Sequence, residues 1–100
     1  MGKLTKVFWR DIPSHIIFKT KSGKFKKQMS PRFAEAIDRA AMRAGKGSSE
    51  AYMADWRRDI KNIETDDPQS LVDSEIKRLE EMFTDELLEK TIKLKGLTES

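Results

Sequence analysis

The chain has 100 residues, of which 37% are hydrophobic, 37% charged and 8% aromatic, with a formal net charge of +3 and no cysteine. That is apolar material for one modest core inside a heavily charged shell, and the aromatic content argues against disorder. The lack of cysteine excludes a disulfide framework, a thiolate nucleophile and a cysteine-based zinc site, and it points to a reducing, cytoplasmic setting.

Met1–Lys6 hold no long apolar run, so no signal peptide is expected, and no stretch approaches the roughly 18 apolar residues of a membrane span. Three short β-branched and aromatic runs follow, over 6–10 (Lys6-Val7-Phe8-Trp9-Arg10), 15–20 (His15 to Thr20) and 24–28 (Lys24 to Gln28). Asp11-Ile12-Pro13-Ser14 reads as the first turn and Ser22-Gly23 as the second, giving a three-stranded antiparallel meander. Val7 and Trp9 share one face of the first strand, with Phe8 and Arg10 on the other. In the second strand Ile16 and Phe18 share a face, and Ile17 lies opposite with His15 and Lys19. One face should pack on helices, while Phe8 and Ile17 on the other point to a partner or a covering segment.

At Ser30-Pro31 the period changes to that of a helix over 31–44, with Phe33, Ile37, Ala40, Ala41 and Ala44 on one side and Gly45 as its stop. Gly45-Lys46-Gly47-Ser48-Ser49 reads as a loop. Ser48 or Ser49 would cap a second helix over 49–61, whose apolar side is Tyr52, Met53, Trp56 and Ile60. Asp67-Pro68 opens a third helix over 68–83, carrying Val72, Ile76, Leu79 and Phe83. Thr84-Asp85-Glu86 opens a short fourth over 85–93, with acids that suit a helix N-terminus. Residues 96–100 read as a frayed tail. The expected architecture is one α+β domain over 1–95, a three-stranded antiparallel sheet followed by three to four helices packed on one face.

No set of residues has the pattern of a catalytic or metal site. His15 is the lone histidine and has no second imidazole to share a metal with. Asp55, Asp59, Glu64, Asp66 and Asp67 lack the alternation and glycine of a calcium loop. The Gly45–Ser49 loop lacks P-loop spacing and a preceding apolar strand. Charge is the suggestive feature: residues 1–30 carry eight Lys or Arg against the single acid Asp11, a sum of +7, and the remainder sums to −4. Lys19, Lys21, Lys24, Lys26 and Lys27 cluster around Ser22-Gly23 with Phe18 and Phe25 between them. Such a hairpin can lie along a phosphate backbone, or its lysines can protect a sheet edge from aggregation. Arg57 or Arg58 could pair with Asp11 across the fold.

Val7-Phe8-Trp9-Arg10-Asp11-Ile12-Pro13, then Arg32-Phe33 and Ala36 to Gly45, then Tyr52 with Trp56-Arg57-Arg58, resemble the bacterial "virulence factor" domain family over about residues 6–83. That family has a short domain, found alone or joined to larger bacterial proteins with helical repeats. The resemblance implies no catalytic residue set. It implies an accessory subunit for a larger bacterial protein, such as a one-carbon or corrinoid methyl-transfer component. The expectation is therefore a cytoplasmic, non-enzymatic interaction module with no cofactor and no membrane association. Its partner surface is expected to include Trp9, Arg10, Asp11, Arg39, Arg43, Trp56, Arg57 and Arg58, since arginine and tryptophan are enriched at binding hot spots. The alternative expectation is sequence-independent nucleic-acid binding through the lysine hairpin.

Overall fold

The computed structural model describes residues 2–45 and 53–97. β1 (Gly2–Trp9), β2 (Ile12–Thr20) and β3 (Gly23–Gln28) form the antiparallel meander expected from their composition. The strands are longer than their apolar runs. Trp9 pairs directly with Ile12, so the first turn is only Arg10–Asp11, with Arg10 in the left-handed region at φ 53°. Pro13 then falls inside β2, not in the turn. It is accommodated because Val7 pairs with His15 while Phe8 pairs with Pro13, leaving Ser14 as the extra residue of a bulge where the ladder is already interrupted.

The largest correction lies in the segment expected to be a second helix over 49–61. Trp56–Ile63 is a strand, β4, antiparallel to β1, so the sheet has four strands in the order β3-β2-β1-β4 and not three. Within that segment only Met53 and Ala54 are helical among the described residues. Tyr52, the capping serines Ser48 and Ser49, and Lys46-Gly47 of the preceding loop lie outside the described residues. Trp56, Arg58, Ile60 and Asn62 also alternate at a strand's period of two, and on a half-exposed edge strand that alternation carries few apolar residues. Pairing with β1 decides the conformation, as tertiary context overrides weak local propensity.

Three helices follow the expected boundaries: α1 (Pro31–Arg43), α2 (Pro68–Met82) and α3 (Asp85–Lys93). Asp67 and Thr84 cap α2 and α3 by accepting from the Ser70 and Leu87 N–H groups, each at 3.1 Å. Ser30 does not cap its own helix. Its N–H and hydroxyl donate instead to the Glu80 carboxylate of α2, at 2.7 and 2.9 Å. Gly45 ends α1 at φ +73°.

α1 packs on β2 and α3, and α2 on β2 and β3, so the described helices sit on one face of the sheet. The core there joins Leu4, Ile16 and Phe18 from the strands to Phe33, Ile37, Val72, Leu79, Leu88 and Ile92 from the helices. Ala36, Ala40 and Ala41 are buried and let α3 come close to α1. Phe33 and Phe83 meet edge to face at 5.8 Å. Beyond α3 the chain stays docked. Gly96 is buried, and its carbonyl accepts from the Asp11 N–H at 2.8 Å, so the fold runs past the expected limit at residue 95. Residues 98–100 of the expected tail lie outside the described residues.

Candidate interaction surface

With the described helices on one side, the other face of the sheet is open among the described residues, and the register fixes what it carries. Lys24, Lys19, Lys3 and Asn62 are consecutive partners across β3, β2, β1 and β4. The next row on the same face is Lys26, Ile17, Thr5 and Ile60, and the one after it is Gln28, His15, Val7 and Arg58. Alternation sends their neighbours to the helical side. There Lys27 meets Asp73 at 2.9 Å and the largely buried Lys6 meets Glu75 at 3.1 Å. The open face thus holds Lys3, Lys19, Lys24, Lys26 and Arg58, and none of its register positions carries a carboxylate.

The two ends of this face differ. At one end a hollow of about 330 Å³ is lined by Gly2, Lys3, Lys19, Thr20, Lys21 and Asn62. At the other a hollow of about 370 Å³ is lined by Val7, His15, Met53, Trp56 and Arg58 and is mainly apolar. Burial, then the charges of Lys26 and Arg58, hold the His15 imidazole below its ordinary value of 6.5, so it is neutral at pH 7.

The residues expected to form the partner surface are not gathered on one face: Trp9, Arg10, Asp11 and Arg57 meet at one corner, Trp56 and Arg58 lie on the open face, and Arg39 and Arg43 lie on α1. Trp9 is fully buried (0% exposed) and its indole lies against Gly96, so it is a core residue. Arg10 serves the fold: its N–H donates to Asp55 O at 3.0 Å and its Nη1 to Lys95 O at 2.8 Å. The expected pair across the fold is present as Arg57 Nη2 to Asp11 Oδ1 at 3.4 Å. Arg57 also donates from Nε to Arg10 O at 2.7 Å and lies 4.4 Å over the Phe8 ring. That guanidinium covers Phe8, which, against expectation, does not share a face with Ile17: Thr5 and Val7 lie on Ile17's face, and Phe8 alternates to the other. Arg39 and Arg43 are on α1, on the helical side of the sheet, and Arg39 is held by Glu89 of α3 through two bonds of 2.8 and 3.2 Å. Of the expected set, Trp56 and Arg58 remain on the open face. Of the hairpin lysines, Lys19, Lys24 and Lys26 lie on that face, Lys21 is in the turn, and Lys27 is on the helical side.

Val7, His15, Ile17 and Ile60 were missed as site residues. Alternation in the second strand placed His15 and Ile17 together on the less covered face, but it grouped Val7 with Trp9 on the other, and the position of Ile60 depends on a strand that its sequence does not announce. Among the described residues no three potential metal-ligating side chains converge, and no helix is long and apolar enough to cross a membrane.

Among the described residues these features define an α+β domain, a four-stranded antiparallel sheet with helices α1, α2 and α3 on one face and a basic opposite face. The chain belongs to the virulence factor family, whose model matches residues 7–92. The match runs through α3, beyond the reach of the motifs in the first two thirds of the sequence. No curated protein and no solved structure matches.

Proposed function

We propose that this chain is a non-enzymatic interaction module that docks onto a larger bacterial protein in the cytoplasm. The observation that supports this most is the open sheet face, where a mainly apolar hollow around Val7 and Trp56 adjoins a field of cations. A hydrophobic pocket flanked by charge is how protein interfaces combine an anchor with a polar surround. Catalysis would need a nucleophile and base oriented by a third group; His15, the one imidazole, meets the hydroxyl of its chain neighbour Ser14 at 3.1 Å, and its charged neighbours are the cations Lys26 and Arg58 rather than an orienting carboxylate. The cysteine-free composition supports the cytoplasmic setting.

The test is stoichiometric co-purification from native lysate with the chain and with Arg58→Glu. A stoichiometric partner lost in the variant supports the module; no stoichiometric partner with either chain removes it. A second reading, nucleic-acid binding by the same face, is favoured by the row of lysines at its other end.

A further inference from the structure

Lys3, Lys19 and Lys24 stand directly opposite one another on three adjacent strands. Like charges so placed repel, and they are tolerated at a cost to stability. Elsewhere in the fold such charges are neutralised: Lys6 by Glu75, Lys27 by Asp73, Arg32 by Glu80 and Asp85. The three lysines have no carboxylate at any neighbouring register position, and Lys3 and Lys19 line a hollow with Asn62. The arrangement concentrates positive charge on one end of the sheet face.

From Lys3 to Val7 is four residues of one strand, about 13 Å. The row of lysines and the apolar hollow are therefore the two ends of a single track along the strands. Resting on the module reading above, we infer that this track receives an extended acidic segment of the partner protein. An apolar side chain would enter the hollow at Val7 and Trp56, and carboxylates about four residues away would lie among Lys3, Lys19 and Lys24. The middle row of the track, Lys26, Ile17, Thr5 and Ile60, offers no aromatic ring, so the rings of this face are confined to Trp56 and His15 at the hollow and do not run along the track as a stacking ladder. That favours polypeptide over single-stranded nucleic acid, whose bases need rings to stack on. Lysine, a point charge without the planar fork of arginine, suits flexible carboxylates.

The probe is a short fluorescein-labelled peptide with one phenylalanine and, about four residues on, three glutamates, measured by fluorescence anisotropy at low salt. The prediction is saturable binding that weakens with salt. It should fall roughly tenfold in the combined Lys3→Gln, Lys19→Gln and Lys24→Gln variant, and again when serine replaces the phenylalanine. That variant should melt no lower than the parent at low salt, since it loses only repulsion, which separates a lost site from a lost fold. No saturable binding, or equal binding by the variant, overturns the inference. So does an oligo-dT of similar length that binds more tightly with the same dependence on the lysines. A native partner captured through Arg58 but retained by the lysine variant would refute the acidic segment and leave the module standing.

Discussion

Gly96→Ala is expected to destabilise this fold far more than a surface glycine substitution should. Gly96 has φ +91°, in the region that L side chains avoid, which costs about 1–2 kcal/mol. An added Cβ would also lie 2.6 Å from Cζ3 of Trp9, 3.1 Å from its Cε3 and 3.3 Å from Cδ of Arg10. Trp9 is 0% exposed and packed in the core, so the ring cannot swing away, and such overpacking costs a further 1–3 kcal/mol or about that. The sum, about 3 kcal/mol, is a large part of the roughly 5–15 kcal/mol that holds a domain together. It corresponds to a fall in Tm of more than about 10 °C. Gly45→Ala is the control: φ is +73°, but nothing lies within 4 Å of its added Cβ, so only the backbone cost of about 1 kcal/mol applies. Urea unfolding followed by far-UV circular dichroism measures both. Amide exchange at Asp11, whose N–H donates to the Gly96 carbonyl, should accelerate in Gly96→Ala alone. If the two variants lose equal stability, the contact between Gly96 and Trp9 is not a packing constraint and the account of this corner is wrong.

Burial pushes the Glu80 carboxyl up, but the Ser30 N–H, the Ser30 hydroxyl and Arg32 together outweigh it and hold the group below its ordinary 4.5. Its contribution is therefore complete above about pH 4.5 and is lost as pH falls through the lowered folded value. Glu80→Gln should cost about 2 kcal/mol at pH 7 and progressively less in acid, as read from urea midpoints across pH. His15 has the same sign of linkage from a different cause: burial and the neighbouring cations depress its folded value, so protonation is penalised and stability falls as pH drops below about 6.5. Its imidazole resonances should titrate below 6.5, and Lys26→Gln should move the midpoint up; a midpoint indifferent to Lys26 would show that the open face is not electrically connected as described. Asp11→Asn should change stability by under about 0.5 kcal/mol, because its 3.4 Å pair with Arg57 is half exposed. Arg57→Ala should cost about 1–2 kcal/mol, since it also removes the bond to Arg10 O and the contact with Phe8. Equal effects in thermal melts would overturn that ranking.

Helices α1, α2 and α3 were legible because each announces itself twice, by a start signal and by apolar spacing. Ser30-Pro31, Asp67-Pro68 and Thr84-Asp85 all fall at observed starts, although Ser30 turns out to bind Glu80 in place of its own helix. The meander was legible for the same reason. β4 was not, because nothing local distinguishes Trp56-Arg57-Arg58-Asp59-Ile60 from a polar helix. The clue was in its partner: a three-stranded meander that begins with β1 leaves the backbone groups along one edge of that strand unpaired, and β1, apolar at Val7, Phe8 and Trp9, carries no proline or bulge-prone glycine there to blunt such an edge. Trp9 failed as a surface residue for a related reason. The turn at Lys95-Gly96, at the start of the expected frayed tail, folds back over it.

The charge asymmetry of the sequence becomes a different asymmetry in three dimensions. Counted along the chain, the first thirty residues are simply basic. Counted by the period of a strand, they divide. Lys6 and Lys27 turn to the helices, where the acids of the later segments meet them. Lys3, Lys19, Lys24 and Lys26 turn away, to a face whose register positions carry no acid. Edge protection against aggregation accounts for lysine on β3, which is an edge strand, but it does not account for Lys19 and Lys3 on the two interior strands β2 and β1. A row that crosses from an edge into the middle of the sheet is a surface property, not an edge property. That is why the three lysines carry the inference about a partner, while the hairpin read along the sequence alone could not separate binding from solubility.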